Sequence, residues 1–246
     1  MEYTKYCAIF MAVFTIFCFS NASTLEPAVS IADDGTVTIE LDNNRIGEIS
    51  DALSKAFAVR VCAEDFGVIR AGNTAIAERS PEAGGPLREG NEPVVSGVYT
   101  SDSLEEILDA VTAPSPYTWL KTNACYVIYP REGSLLMEKI SVTIPPLSLF
   151  DVLCTILASR LDKTSKDEPI SVAFMSIGGP KPDATNVDTV QTLTFVDTPL
   201  MEALCWAVEA VDPSAGDGLF IWQLCSGAAH EYRNLNPRWI ACGDPD

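Results

Sequence analysis

The strongest constraint on this chain is a pattern that occurs four times. An alternating stretch is followed at once by a segment in which apolar residues recur at i, i+3, i+4 and i+7. The helical sets are Ile46, Ile49, Ser50 and Leu53; Leu104, Ile107, Leu108 and Val111; Leu149, Val152, Leu153 and Ile156; and Leu200, Ala203, Leu204 and Ala207. That spacing places each set on one face of an α-helix. Ser50 is the one polar member. Ahead of each helix, at a fixed distance, stand Val37, Ile39 and Leu41; Val95, Gly97 and Tyr99; Ile140, Val142 and Ile144; and Gln191, Leu193 and Phe195. Their period of two puts each trio on one face of a β-strand. Strand face and helix face can bury each other, and four copies in one register mark repeated supersecondary units.

Each helix leads into a further strand-like run, at residues 59–62, at 117–120 with 125–128, at 170–174 and at 219–224. The units therefore read β-α-β. The fold class expected is α+β, as two tandem lobes over residues 36–131 and 138–233, each holding two such units, with a C-terminal tail over 234–246. The boundary falls at residues 130–138. Residues 70–93 and 178–188 are rich in Gly, Pro and charge and read as loops. Asp102 with Glu105 has capping-box spacing, Ser148 is a natural N-cap, and Thr198 before Pro199 reads as a cap ahead of proline at the first helical position. Asp33, Asp34 and Gly35 read as a turn into the first strand.

Residues 7–19 form an unbroken apolar run of 13. A membrane-spanning helix needs about 20 such residues, so the run fits the core of a secretory signal peptide, cut after Ala22. Residues 1–22 are read as that signal, the location as periplasmic or secreted, and no stable membrane span is expected after cleavage. Of eight cysteines, Cys62, Cys125, Cys154, Cys205, Cys225 and Cys242 then remain. In an exported chain these are disulfide candidates. A Cys62–Cys125 bridge would close a long loop in the first lobe. Cys154 and Cys205 sit in apolar helical patterns and read equally well as buried thiols. Lys plus Arg is 16 against 34 Asp plus Glu, a net charge of −18. That balance opposes a nucleic-acid groove.

Val95-Ser96-Gly97-Val98-Tyr99-Thr100, followed by Leu104-Glu105-Glu106-Ile107-Leu108, resembles the secretin and TonB N-terminal short domain, STN. That family carries a strand with the motif sGxYT and then a helix with LeeaLxxLL. Tyr117 to Trp119 and Tyr126 to Ile128 stand where its closing hairpin belongs. The resemblance covers most of the first lobe. It reaches the second mainly through residues 193–207, where Leu193 replaces the glycine. The resemblance implies two tandem non-enzymatic docking modules, without the outer-membrane barrel that usually follows. It also implies a protein partner in the cell envelope: an outer-membrane channel, a receptor or a regulator. Gly97, Tyr99 and Thr100, with Trp119 beside them, are the expected contact residues, and an open strand edge is the expected route of docking.

Other chemistry is sparse. His230 is the single histidine and follows Cys225, so a Cys/His hydrolase is one alternative. A small-ligand or peptide-binding protein using a cleft between the lobes is another. The glycine pairs fit no phosphate-binding fingerprint, and no metal or cofactor is assigned.

Overall fold

The computed structural model describes residues 26–66, 93–132, 134–161, 171–172, 190–210, 218–226 and 233–241. The signal-like segment 1–22, most of the two loops, His230, Cys242 and the side chain of Cys225 lie outside the described residues. Strands β1 (Ala28–Ile31) and β2 (Val37–Asn44) precede helix α1 (Ile46–Phe57) and strand β3 (Val61–Phe66). Strand β4 (Val95–Ser101) leads into α2 (Leu104–Thr112) and the hairpin β5 (Tyr117–Lys121) and β6 (Tyr126–Pro130). After a 3-10 turn at Leu135–Met137 come β7 (Lys139–Ile144), α3 (Leu149–Leu161) and β8 (Ser171–Val172). Strand β9 (Leu193–Pro199), α4 (Leu200–Glu209), β10 (Gly218–Ser226) and β11 (Arg233–Ala241) complete the order. The fold is mixed α+β. No helix among the described residues is long and apolar enough to cross a membrane.

The strands form a three-stranded sheet β1-β2-β4, a two-stranded sheet β7-β9 and a six-stranded sheet β5-β6-β3-β10-β11-β8. The six-stranded sheet is itself a duplication. In its first half β5 pairs antiparallel with β6, and β6 parallel with β3. In its second half β10 pairs antiparallel with β11, and β11 parallel with β8. A parallel β3–β10 ladder, Ala63 opposite Gln223 to Phe66 opposite Ser226, joins the halves. The tandem repeat expected from sequence is thus present in the element order. Its halves share one sheet rather than standing as separate lobes.

All sixteen helix-face residues read from the sequence are buried, Ser50 included. Alternation along the strands divides them between two cores. Val61 and Ala63 of β3 and Ile128 of β6 pack with α1 and α2, whereas Cys62 and Val127 pack with α3 and α4. Successive strand residues point to opposite faces, so the two helix pairs cover opposite faces of the shared sheet.

The polar misfit at Ser50 belongs to the junction. Gln223 of β10 is buried and its Nε2 donates to Gly47 O (2.6 Å), Ser50 Oγ (3.1 Å) and Asp51 Oδ1 (2.8 Å). Arg238 of β11 forms an ion pair with Asp51. A side chain at Gly47 would put its Cβ 2.9 Å from Gln223 Oε1, so glycine permits the close approach. Burial pushes the Asp51 carboxyl up to about 6, against the pull of Arg238.

Three expectations need correction. Residues 234–246 are not simply a tail, because Arg233–Ala241 is β11, lying between β10 and β8. Asn234, Asn236, Pro237 and Arg238 break the apolar alternation that marks a strand. Pro237 is tolerated because β8 pairs β11 only at Asn234 and Leu235. The N-cap of α2 is Ser103, which accepts from Glu106 N at 3.4 Å, rather than Asp102. Pro199 is itself the N-cap position of α4, one residue later than the expected cap at Thr198. Ser148 does cap α3, accepting from Asp151 N at 3.2 Å. The Asp33–Asp34–Gly35 turn also forms, with Thr36 N donating to Asp34 Oδ1 at 3.0 Å and Gly35 at φ 84°.

Candidate functional site

The expected contact residues lie on two strands that both pack against α2. Gly97, Tyr99 and Thr100 are on β4 and Trp119 is on β5, in different sheets. Gly97 has φ 144°, a conformation that favours glycine. A Cβ there would lie 3.0 Å from Tyr99 Oη, so its close neighbour is a phenol ring and not the second backbone expected for a strand glycine. Tyr99 is half-buried against the first core and donates to Ser96 O at 3.2 Å. Thr100 is exposed and pairs with Thr38 across the strands, Oγ1 to Oγ1 at 3.0 Å. Trp119 is half-buried, its Nε1 donating to Asp109 Oδ1 at 2.8 Å. Tyr99 and Trp119 are therefore anchored within the domain, and the outward group on β4 is one the sequence reading did not select. Val98 is 66% exposed.

β4 pairs with β2 on one side only, and β9 pairs only with β7 among the described strands. Each thus has a ladder edge that no described strand covers, and each carries an exposed valine; Val196 on β9 is 75% exposed. Each ladder also bulges. Asp42 and Asn43 stand opposite Ser96, and Val196 and Asp197 stand opposite Ser141. The second bulge residue is left-handed in both, at φ 55° for Asn43 and 50° for Asp197. Its N–H donates to the facing serine Oγ at 2.9 Å in both. A bulge bends and twists an edge, and short polar side chains tolerate that backbone conformation.

A second constellation lies inside the molecule. Cys62, Cys125, Cys154 and Cys205 are free thiols, so the expected Cys62–Cys125 bond is not formed in this structure. The two are nonetheless neighbours: the sulfurs of Cys62, Cys125 and Cys205 all lie within 4.8 Å of one another, and all three residues are buried. β3 supplies Cys62 and α4 supplies Cys205. Cys125 ends the tight turn between β5 and β6. Thr122 builds that turn: its N–H and Oγ1 donate to Cys125 O at 2.8 and 3.0 Å, and Oγ1 accepts from Cys125 N at 2.9 Å. Cys154 is half-buried on α3 and outside the cluster.

Within the cluster the thiols differ. Burial holds Cys62 well above the usual thiol range. Cys125 is raised by the proton it shares with Cys205 and Cys62, and further by burial. Burial also acts to raise Cys205, but hydrogen bonds from Cys125, Cys62, Thr122 and Trp222 outweigh it and bring Cys205 well below that range. Trp222 Nε1 is buried and has no hydrogen-bond partner among the described residues, and Trp222 belongs to the same core cluster as the three cysteines. Two surface pockets flank the 121–124 turn. One, of about 160 Å³, has Glu202, Cys205 and Trp206 in its wall, and the other, of about 200 Å³, has Arg60, Cys125 and Leu219. Cys205 and Cys125 thus each border one of these pockets, while all three cysteines of the cluster are buried.

Comparison of the chain with family models, with curated proteins and with solved structures finds no match.

Proposed function

We propose that this chain is a non-enzymatic docking module, or accessory subunit, of a cell-envelope secretion or uptake system. Its partner is an exported or outer-membrane protein that adds a strand to β4, to β9, or to both. The observation that carries this reading is the duplicated edge, in which a strand paired on one side only among the described residues displays an outward valine in each repeat. Strand addition obtains affinity from backbone hydrogen bonds and specificity from alternate side chains. Val98 and Val196 are the side chains placed to supply that specificity. The exposed polar residues Ser96, Thr100 and Thr194 flank them along the strands. The apolar run at residues 7–19 supports the exported location.

Two observations favour this reading over its alternatives. The β3–β10 ladder occupies the junction between the repeats, where an inter-lobe ligand cleft would have to open. The described pockets lie at the 121–124 turn instead.

The test is affinity capture from solubilised envelope with the chain and with Val98→Lys, Val196→Lys and the double variant. A lysine on an exposed edge opposes strand addition, and at these exposures it changes stability by no more than about 0.5 kcal/mol. Loss of one specific retained partner in at least one single variant, with unchanged circular dichroism, is the expected result. A partner retained equally by the double variant overturns the proposal.

A further inference from the structure

We infer that Cys62, Cys125 and Cys205 form a three-sulfur site for a thiophilic d10 metal ion, with Cu(I) the best match and Zn(II) the competitor. Three thiolates bound about 2.3 Å from one three-coordinate ion lie about 4.0 Å from one another. The three sulfurs here are already gathered within 4.8 Å. Soft sulfur ligands select Cu(I), Zn(II) and iron–sulfur centres over hard cations. Among the described residues the group contains no histidine or carboxylate, whereas a structural zinc site needs a fourth protein ligand. A three-coordinate ion has no such need, and that favours Cu(I).

The surroundings point the same way. The Trp222 indole N–H is buried without a hydrogen-bond partner among the described residues, in the same core cluster as the three cysteines. A buried donor left unsatisfied in the core that holds the sulfurs is available as an outer contact to a charged metal–thiolate group. The turn that presents Cys125 is fixed by Thr122, and the pockets flanking it have Cys205 and Cys125 in their walls. Binding exchanges S–H bonds for metal–sulfur bonds and releases the protons to solvent, with no change of oxidation state when the ion arrives as Cu(I).

The site would also bridge the repeats. Cys62 and Cys125 come from the first, and Cys205 and Trp222 from the second. A bound ion therefore adds a link across the junction beside the β3–β10 ladder, and stabilises the whole chain by mass action.

The experiment uses the purified chain, reduced and stripped of metal under nitrogen. It is titrated with Cu(I) and separately with Zn(II), each against a chromophoric competitor. Absorption, melting temperature and X-ray absorption fine structure are recorded. Saturation at one equivalent of Cu(I), a rise in melting temperature that stops at that point, and a first shell of sulfur alone are expected. Cu(I) should displace Zn(II). Cys62→Ser, Cys125→Ser and Cys205→Ser should each abolish the thiolate-to-metal absorption, while Cys154→Ser retains it. The wild-type scattering shell decides the matter even where a variant folds poorly. Absence of stoichiometric binding overturns the inference. So does Zn(II) binding with a mixed oxygen or nitrogen shell and no Cu(I) affinity, or metal binding that persists in all three variants.

Discussion

The two repeats differ most in what each needs from the other. The first core is built from its own elements: α1, α2, β2, β4 and the inward residues of β3 and β6. The second core borrows Cys62, Cys125 and Val127 from the first repeat's strands. The helix faces follow the same division. Ser50 and Asp51 on α1 hold Gln223 and Arg238, while the corresponding positions on α3, counted from each helix start, are Leu153 and Cys154. Duplication has kept the helix stripes, the bulged ladders and the strand order. Divergence is concentrated where the copies meet. A repeated unit of this size leaves one face of its sheet uncovered until a neighbour supplies helices, the same logic by which stacked repeats complete one another's cores.

The largest test of that comparison truncates one core residue in each repeat. Leu53 and Ile156 occupy equivalent positions and are fully buried. Leu53→Ala and Ile156→Ala should each cost about 2–5 kcal/mol. Because the halves share a sheet, both should move a single unfolding transition followed by tryptophan fluorescence and circular dichroism together. Two separable transitions, each sensitive to one variant, would mean that the repeats fold independently.

The junction carries a smaller, pH-dependent signature. Asp51 is held up to about 6 in the folded chain, above the roughly 3.9 of an unfolded aspartate. Between those values the folded state holds more protons than the unfolded state, so this group's contribution to stability falls as pH rises through the window and is flat above it. The fall is up to about 3 kcal/mol, at about 1.4 kcal/mol per unit. Denaturant titrations from pH 4 to pH 7 should show that slope flattened in Asp51→Asn. An identical profile in both proteins would remove the buried carboxylate from the account. Cys154, its counterpart on α3, offers no carboxylate, so Cys154→Ser should leave the slope unchanged.

The smallest effect lies in the bulges. Ser96→Ala and Ser141→Ala each remove the acceptor for a left-handed residue's N–H. At these exposed sites water replaces part of the bond, so each should cost about 0.5–1 kcal/mol by chemical denaturation, and by similar amounts. A cost confined to one repeat would show that the two bulges are alike in geometry but not in energetics.

Much of this architecture was legible from spacing alone. The sixteen helix-face positions, the strands ahead of them, and those at the β5–β6 hairpin and β10 follow from periodicity, because burial on one face dictates the pattern. Ser50 looked like an error in it, and only Gln223, 173 residues away, explains the serine. β11 was hidden because two of its residues in the sheet are a buried asparagine and a proline, whose places depend on neighbours rather than on alternation. A Cys62–Cys125 disulfide is what loop closure suggests, and the two are neighbours but free thiols. Their meeting with Cys205 was not anticipated, since it depends on how α4 crosses the shared sheet. At the edge strand the sequence pointed to Gly97 and the aromatics, which are used internally. The outward Val98 carried no motif to single it out.

The central claim, that the two edge strands receive a partner's strand, is tested most directly by amide hydrogen exchange on the chain with and without its captured partner. The account predicts new protection in β4 or β9, on residues 95–100 or 193–198, with the already protected β3–β10 ladder unchanged. Protection that appears at the 121–124 turn or on the helices, with both edge strands exchanging as in the free chain, would contradict it.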